Sequence, residues 1–311
     1  MNKRAKVSSS ILLGLTLVIT GCNTNAQDNH SSQKHEQTAK ENKKENKLTA
    51  GQELTEILSG TNWQGTKVYD KNNNDLTKEN ANFIGLAKYD EETSRYEFFD
   101  QNTKKSRGDK GTFFITNDKI RVLISESMGY QAVVEITKLN KDMFTYKRMG
   151  KDAKGNDVEV FVEHIPYNET ELSFTDPDKT LESFTGEVDT DVDGDKILSS
   201  TPWQGTVALD ENGNDVSSYN SNYLGLAKYD DKTNKYEFFD AKTGESRGDY
   251  GFYDIVHGNK IRAHVSQGEN KYGAVLELTE LNENKFTYKR IGKDKDGKEI
   301  TITVEHIPYE G

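Results

Sequence analysis

The chain repeats itself, and that constrains its fold more than any other feature. The run FIGLAKYDEETSRYEFFDQNTKKSRGDKG beginning at Phe83 returns as YLGLAKYDDKTNKYEFFDAKTGESRGDYG from Tyr223. The flanks return with it: WQGT at Trp63 and Trp203, FTYKR at Phe144 and Phe286, VEHIPY at Val162 and Val304. Each copy is about 110 residues long, enough for one compact core and too long for a solenoid unit. Two closed domains are therefore expected, over 49–167 and 195–311, joined by an acidic linker over 168–194.

Apolar residues make up 32% of the chain and aromatic residues 10%, so a small core is feasible only if it is rich in rings, which bury more area than aliphatic side chains. The net charge is −11, more negative still once Lys3, Arg4 and Lys6 leave with the leader, and every basic stretch has acidic neighbours. Such a surface repels polyanions and excludes nucleic acid as a partner.

Residues 1–22 read as an export signal. A basic start is followed by an apolar run from Ile11, about 10 residues long and half of what a membrane span requires. The run ends at Ile19-Thr20-Gly21-Cys22, which resembles the bacterial lipobox. Cys22 is the single cysteine of the chain and stands where acylation would take place. It is the expected lipid attachment, and the membrane the expected partner through it. Residues 23–48 lack apolar periodicity and read as a disordered tether. A span of this length reaches roughly 25 to 30 Å, which lifts the domains off a membrane.

Within a copy, Thr49-Ala50-Gly51-Gln52 has capping-box spacing ahead of Leu54, Ile57 and Leu58, which predicts a short helix. The apolar period then becomes two. Strands are predicted near 63–69, 83–89, 95–100, 112–116, 119–126, 130–138, 143–149 and 157–165, with Asn212-Gly213 and Asp296-Gly297 as hairpin turns in the second copy. About eight short strands in sequence must hide their edges. An all-β fold of two tandem antiparallel up-and-down barrels, calycin-like in form, is the first expectation, and a β-sandwich the second. Alternation puts Val158, Val160, Val162 and His164 on one face, and Phe144, Tyr146 and Arg148 on one face. Ile300, Ile302, Val304 and His306 repeat the first set; Phe286, Tyr288 and Arg290 repeat the second.

Several residue groups are candidates for chemistry. Arg107-Gly108-Asp109 and Arg247-Gly248-Asp249 form an integrin-type tripeptide in an expected hairpin loop, or a turn whose charges bridge locally. Asp189, Asp191 and Asp193 with Gly194 open like a calcium loop, but its twelfth position is Ser200 instead of a bidentate Glu, so a solvated acidic spacer is favoured over a metal site. Glu163-His164 and Glu305-His306 suggest acid–base work with Ser106, Ser125 or Ser246, but neighbouring strand residues face opposite sides, so the Glu cannot orient the His. Lys147, Arg148 and Lys151, echoed by Lys289, Arg290 and Lys293, could dock an anionic ligand beside Tyr146 and Tyr288, or could protect an edge strand. No nucleophile elbow, zinc-protease, phosphate-loop or dinucleotide fingerprint is present, and no cofactor is implied.

The blocks LGLAKYD, YEFFD, SRGD, FTYKR with GKD, and VEHIPY together resemble a family of Gram-positive bacterial lipoproteins known as a domain of unknown function, here in tandem. The resemblance carries no catalytic or binding residues with it. More weakly, LSGTNWQGT at Leu58 is similar to the first strand of avidin-type and lipocalin-type barrels. That likeness would pair Trp63 with Arg148 and Trp203 with Arg290 as cation–π closures. The copies differ at Phe114 and Asp254, which puts a shared site near those positions in doubt. The expectation is a cell-surface binding module with two homologous sites for an unknown extracellular ligand or envelope component. An envelope-acting hydrolase and a spacer or assembly factor are the alternatives.

Overall fold

The computed structural model describes residues 47–176 and 184–311, so the leader, Cys22 and all but the end of the tether lie outside the described residues. The first barrel comprises β1 (Asn62–Asp70), β2 (Leu86–Asp90), β3 (Arg95–Phe99), β4 (Ser106–Ile115), β5 (Ile120–Ser125), β6 (Tyr130–Asn140), β7 (Met143–Lys151) and β8 (Asp157–Tyr167). The second comprises β9 (Trp203–Asp210), β10 (Leu226–Asp230), β11 (Lys235–Phe239), β12 (Ser246–Val256), β13 (Ile261–Ser266), β14 (Gly273–Asn282), β15 (Lys285–Lys293) and β16 (Glu299–Pro308). Within each ring every strand pairs antiparallel with its neighbours in sequence, and β1–β8 and β9–β16 pairing closes each ring. Closure leaves no sheet edge, which rules out the sandwich and also removes the edge-strand reading of the β7 and β15 lysines. Those lysines sit instead in cross-strand ion pairs: Lys147 with Glu135 and Lys151 with Asp157 (both 2.7 Å), Lys289 with Glu277 (3.4 Å) and Lys293 with Glu299 (3.2 Å).

A helix precedes each ring. In α1 (Ala50–Ser59) the Thr49 hydroxyl accepts from the Gln52 N–H while the Gln52 side chain accepts from the Thr49 N–H, the reciprocal cap that the sequence predicts. In α2 (Gly194–Ser199) Asp193 caps the first turn. Each helix delivers a leucine to a tryptophan: the Trp63 indole N–H donates to the Leu58 carbonyl (2.7 Å) and that of Trp203 to the Leu198 carbonyl (2.9 Å). All four residues are fully buried. Helix α1 is held at the far end of β4, where the Gly51 N–H donates to Asn117, and so occupies one end of the barrel.

The inner faces follow the alternation read from sequence. Phe144, Tyr146, Val160, Val162 and His164 are buried inside the first ring; Phe286, Tyr288, Ile302, Val304 and His306 inside the second. On β5 and β13, however, both faces are buried, because their outer residues Val122, Ile124, Ile261, Ala263 and Val265 join Phe114 and Val256 in one apolar cluster shared by the two barrels. Asn117 adds polar links across it, its N–H donating to Asn234 and its amide to the Asp231 carbonyl.

Two expectations are corrected. Strand β4 starts at Ser106 and not near 112, and β12 starts at Ser246, so both Arg-Gly-Asp tripeptides lie in the barrel wall and not in a loop. Gly108 (φ +75°) and Gly248 (φ +68°) supply the left-handed backbone that the irregular β3–β4 and β11–β12 pairing needs there. Secondly, the acidic segment after β8 is docked where it is described. Leu172 packs with Leu86, Phe99 and Tyr167, and Thr175 donates twice to the buried Glu97. Further on, the Asp189 and Val192 carbonyls accept from the Asn259 amide and the Gly186 carbonyl from Lys260. Hydrogen bonds and the apolar anchors Leu172, Phe184 and Val188 thus overcome the segment's charge repulsion.

Candidate functional site

At the start of β4, opposite the end held by α1, the first barrel opens into a cavity of about 390 Å³; the second barrel has a cavity of about 310 Å³ in the same place. Arg107, Asp109, Tyr146, Arg148 and His164 all line the first, and Arg247, Asp249, Tyr288, Arg290 and His306 all line the second. Residues that the sequence offered as separate candidates are therefore brought together, in both copies alike.

The deep wall is built on an arginine that no sequence motif marked. Arg121 on β5 is 2% exposed, and its guanidinium lies 4.3 Å from the Tyr146 ring centre and 5.2 Å from that of Phe144. One of its terminal nitrogens donates to the Tyr89 hydroxyl, and its Nε–H has no partner. His164 stacks against the same Tyr146 ring at 5.5 Å. Arg262 repeats this on β13: 2% exposed, over Tyr288 at 4.4 Å, bonded to Tyr229, with its Nε–H equally bare. Burial, reinforced by the neighbouring arginine charge, pushes His164 and His306 down to about 3, so both rings are neutral.

Nearer the entrance, Asp109 is held by hydroxyls. Tyr96 (3.1 Å) and Ser125 (2.8 Å) donate to one oxygen, and Tyr130 (2.6 Å) to the other. Asp249 takes Tyr236 (2.9 Å) and Tyr272 (2.7 Å) in the same manner. Arg107 reaches back to the Asn82 carbonyl (3.2 Å) and Arg247 to that of Asn222 (2.9 Å). Gly85 makes room for this, since a Cβ there would stand 2.7 Å from the Arg107 guanidinium. Arg148 lies flat over Phe83 (3.9 Å), and Arg290 over Tyr223 (3.5 Å). The Trp63–Arg148 and Trp203–Arg290 closures are thus replaced by other pairs. Each tryptophan meets a phenylalanine edge-on, and the arginines cover the entrance rings instead. Each cavity holds three arginines against one aspartate.

The remaining candidates do not assemble. Glu163 and His164 face opposite sides as alternation requires, with Glu163 beside Thr66 on the outside. Ser106 and Ser246 donate to Glu97 and Glu237, and Ser125 to Asp109, so none has a histidine to activate it. Asp193 caps α2 and pairs with Lys196, Asp189 accepts from the Asp191 N–H, and among the described residues no group of His, Cys, Asp or Glu has the spacing to hold a metal ion. Phe114 and Asp254, where the copies diverge, lie in the region between the barrels and line neither cavity.

Sequence reasoning missed Arg121 and Arg262 and the tyrosines that hold Asp109 and Asp249. A signal was present: Ile120-Arg121-Val122 and Ile261-Arg262-Ala263 put a lone charge inside an apolar strand at the same place in both copies.

No curated protein matches the chain. Among solved structures, a protein of unknown function of the DUF3598 family from Nostoc punctiforme is similar at 8% identity and a TM-score of 0.23, covering 84% of this chain and 100% of its own. A putative thioesterase II from Thermobifida fusca is similar at 7% identity and a TM-score of 0.10, covering 58% of this chain and 74% of its own. Likenesses this slight carry no argument about either chain. A family model matches residues 55–174 and again 195–311, so the chain belongs to the domain of unknown function family DUF4822, which it carries twice.

Proposed function

We propose that this protein is an exported lipoprotein of Gram-positive type, held by Cys22 to the outer face of the cell membrane, whose two barrels each bind a small molecule in the arginine-lined cavity. The observation that carries the reading is the convergence of five matched residues on one cavity in each barrel. Cavities of this size stand at the lower end of the usual range for small-molecule sites, about 300 to 1,000 Å³. The apolar run ending at Cys22 and the polar tether behind it support surface display. Two enclosed cavities double the capacity for a small ligand; avidity would require a ligand able to reach both at once. No observation favours a hydrolase, because the serines and histidines of the barrels are not paired.

The test is a native mass spectrum of the protein released from its own envelope. Added masses at up to two per chain, lost on mild activation, are the expected result. Bare protein, together with no heat in calorimetry against an extract of the same envelope, would refute the reading.

A further inference from the structure

We infer that each cavity takes a small amphipathic organic anion, its acidic head on Arg121 or Arg262 and its apolar body toward the entrance. The inference rests on the small-molecule reading above and narrows it to a chemical class. It begins from an imbalance. A guanidinium removed from water without a carboxylate is costly, and aromatic faces and the hydroxyls of Tyr89 and Tyr146 offset that cost only in part. Arg121 is in that position: its neighbours are Tyr89, Phe144 and Tyr146, and its Nε–H is bare. Asp109 is held elsewhere, by hydroxyls from Tyr96, Ser125 and Tyr130.

A single bare donor in one barrel could be an accident of packing. The same donor is bare in Arg262, although the surroundings have changed: His264 stands where the first copy has Leu123, and Tyr223 where it has Phe83. What is kept across that change is the charge, the hydroxyl that orients it and a cavity that the arginine lines. An arginine serving only as a strut in the core would need no cavity.

The remaining wall sets the rest of the ligand. Phe83, Phe98, Leu123 and Met128 offer apolar surface around the first cavity, and Met128 is 62% exposed at its entrance. A head bearing one negative charge, as in a carboxylate or sulfonate, suits a guanidinium whose free N–H lies in a low-dielectric wall. The acidic exterior of the chain, net −11, disfavours large polyanions at the same entrance.

The experiment uses the full mature chain and two dyes of nearly the same shape, anionic anilinonaphthalene sulfonate and neutral phenylnaphthylamine. The anionic dye should bind about tenfold or more tightly than the neutral one, at two per chain. Arg121→Met with Arg262→Met should abolish that preference by weakening the anionic dye about tenfold or more without weakening the neutral one, folding being checked by near-ultraviolet circular dichroism. Should the double variant fail to fold, the unmodified protein still decides: octanoate must displace the anionic dye at concentrations where octanol does not. Equal binding of both dyes with equal displacement by octanol overturns the anion inference and leaves a small-molecule site standing. Failure of both dyes to bind overturns the inference and the reading beneath it.

Discussion

Replacing Asp254 by Asn should change how the stability of this protein depends on pH. Asp254 on β12 holds the position of Phe114 in the first barrel, and its carboxyl is hydrogen-bonded to that of Asp195 in the first turn of α2. Asp195 also accepts the Ile255 N–H (3.1 Å), which fixes the pair in place. Burial raises both carboxyls, Asp254 up to about 7 and Asp195 well above its ordinary value of 3.8, so the folded protein keeps a proton that the unfolded chain gives up near pH 4. The sign follows from linkage: the stability tied to that proton is fully present below about pH 4 and is lost as pH rises through about 7. Raising one carboxyl from 3.8 to about 7, at about 1.36 kcal/mol per pH unit, is worth roughly 4 kcal/mol, and about 3 kcal/mol of it falls between pH 5 and pH 8. His164 and His306 act in the opposite sense, since neutral rings pushed down to about 3 contribute stability above pH 6.5 that is lost on acidification. The informative quantity is therefore the difference between parent and variant at each pH. An amide at position 254 takes up no proton, so the variant loses the Asp254 part of this slope, while Asp195, raised first by burial, keeps its own and cancels from the comparison only in part. Urea unfolding of both proteins at four pH values from 5 to 8 measures it. A parent-minus-variant difference that stays constant within about 1 kcal/mol across that range would refute the shared-proton reading.

Leu58→Ala removes a fully buried side chain from the core cluster that contains Trp63, and should cost about 2 to 5 kcal/mol in urea unfolding, with loss of the Trp63 part of the near-ultraviolet signal while that of Trp203 remains. Gly85→Ala places a Cβ 2.7 Å from the Arg107 guanidinium and 3.0 Å from the Phe99 carbonyl oxygen, so dye binding at the first cavity should weaken while the second keeps its affinity. A cavity-selective loss in calorimetry checks it, and an equal loss at both cavities would mean that the barrels are coupled. His264→Leu gives the second cavity the side chain of the first; the neutral dye should bind it more tightly, by about 1 to 2 kcal/mol for the added apolar surface.

Much of the site was legible before any coordinates, for a local reason. In a strand, the side-chain period of two belongs to the backbone, so Phe144, Tyr146 and His164 could be assigned to one wall by counting. The Arg-Gly-Asp segments misled because a strand whose side chains serve a polar cavity on one face and solvent on the other has no apolar period, and Ser106–Lys110 therefore reads as a loop. Strand β5 misled in the other direction. Its outer face is buried in the cluster shared with β12, β13 and β14, so Arg121 is set in an unbroken apolar run and alternation does not single it out.

The amino-acid order alone determined the duplication, which is a match of sequence to sequence, and the capped entrance helix and turn-separated short strands, because each of these depends on residues within one or two turns of each other. Only the tertiary structure decided that Arg107, Arg121, Arg148 and His164 line one cavity, that Asp195 meets Asp254, and that the tryptophans belong to the helices and not to the arginines. These are contacts across a closed ring and between two rings. Their distances are set by strand register and by which face of one barrel packs on the other, and neither is encoded in any short stretch of chain.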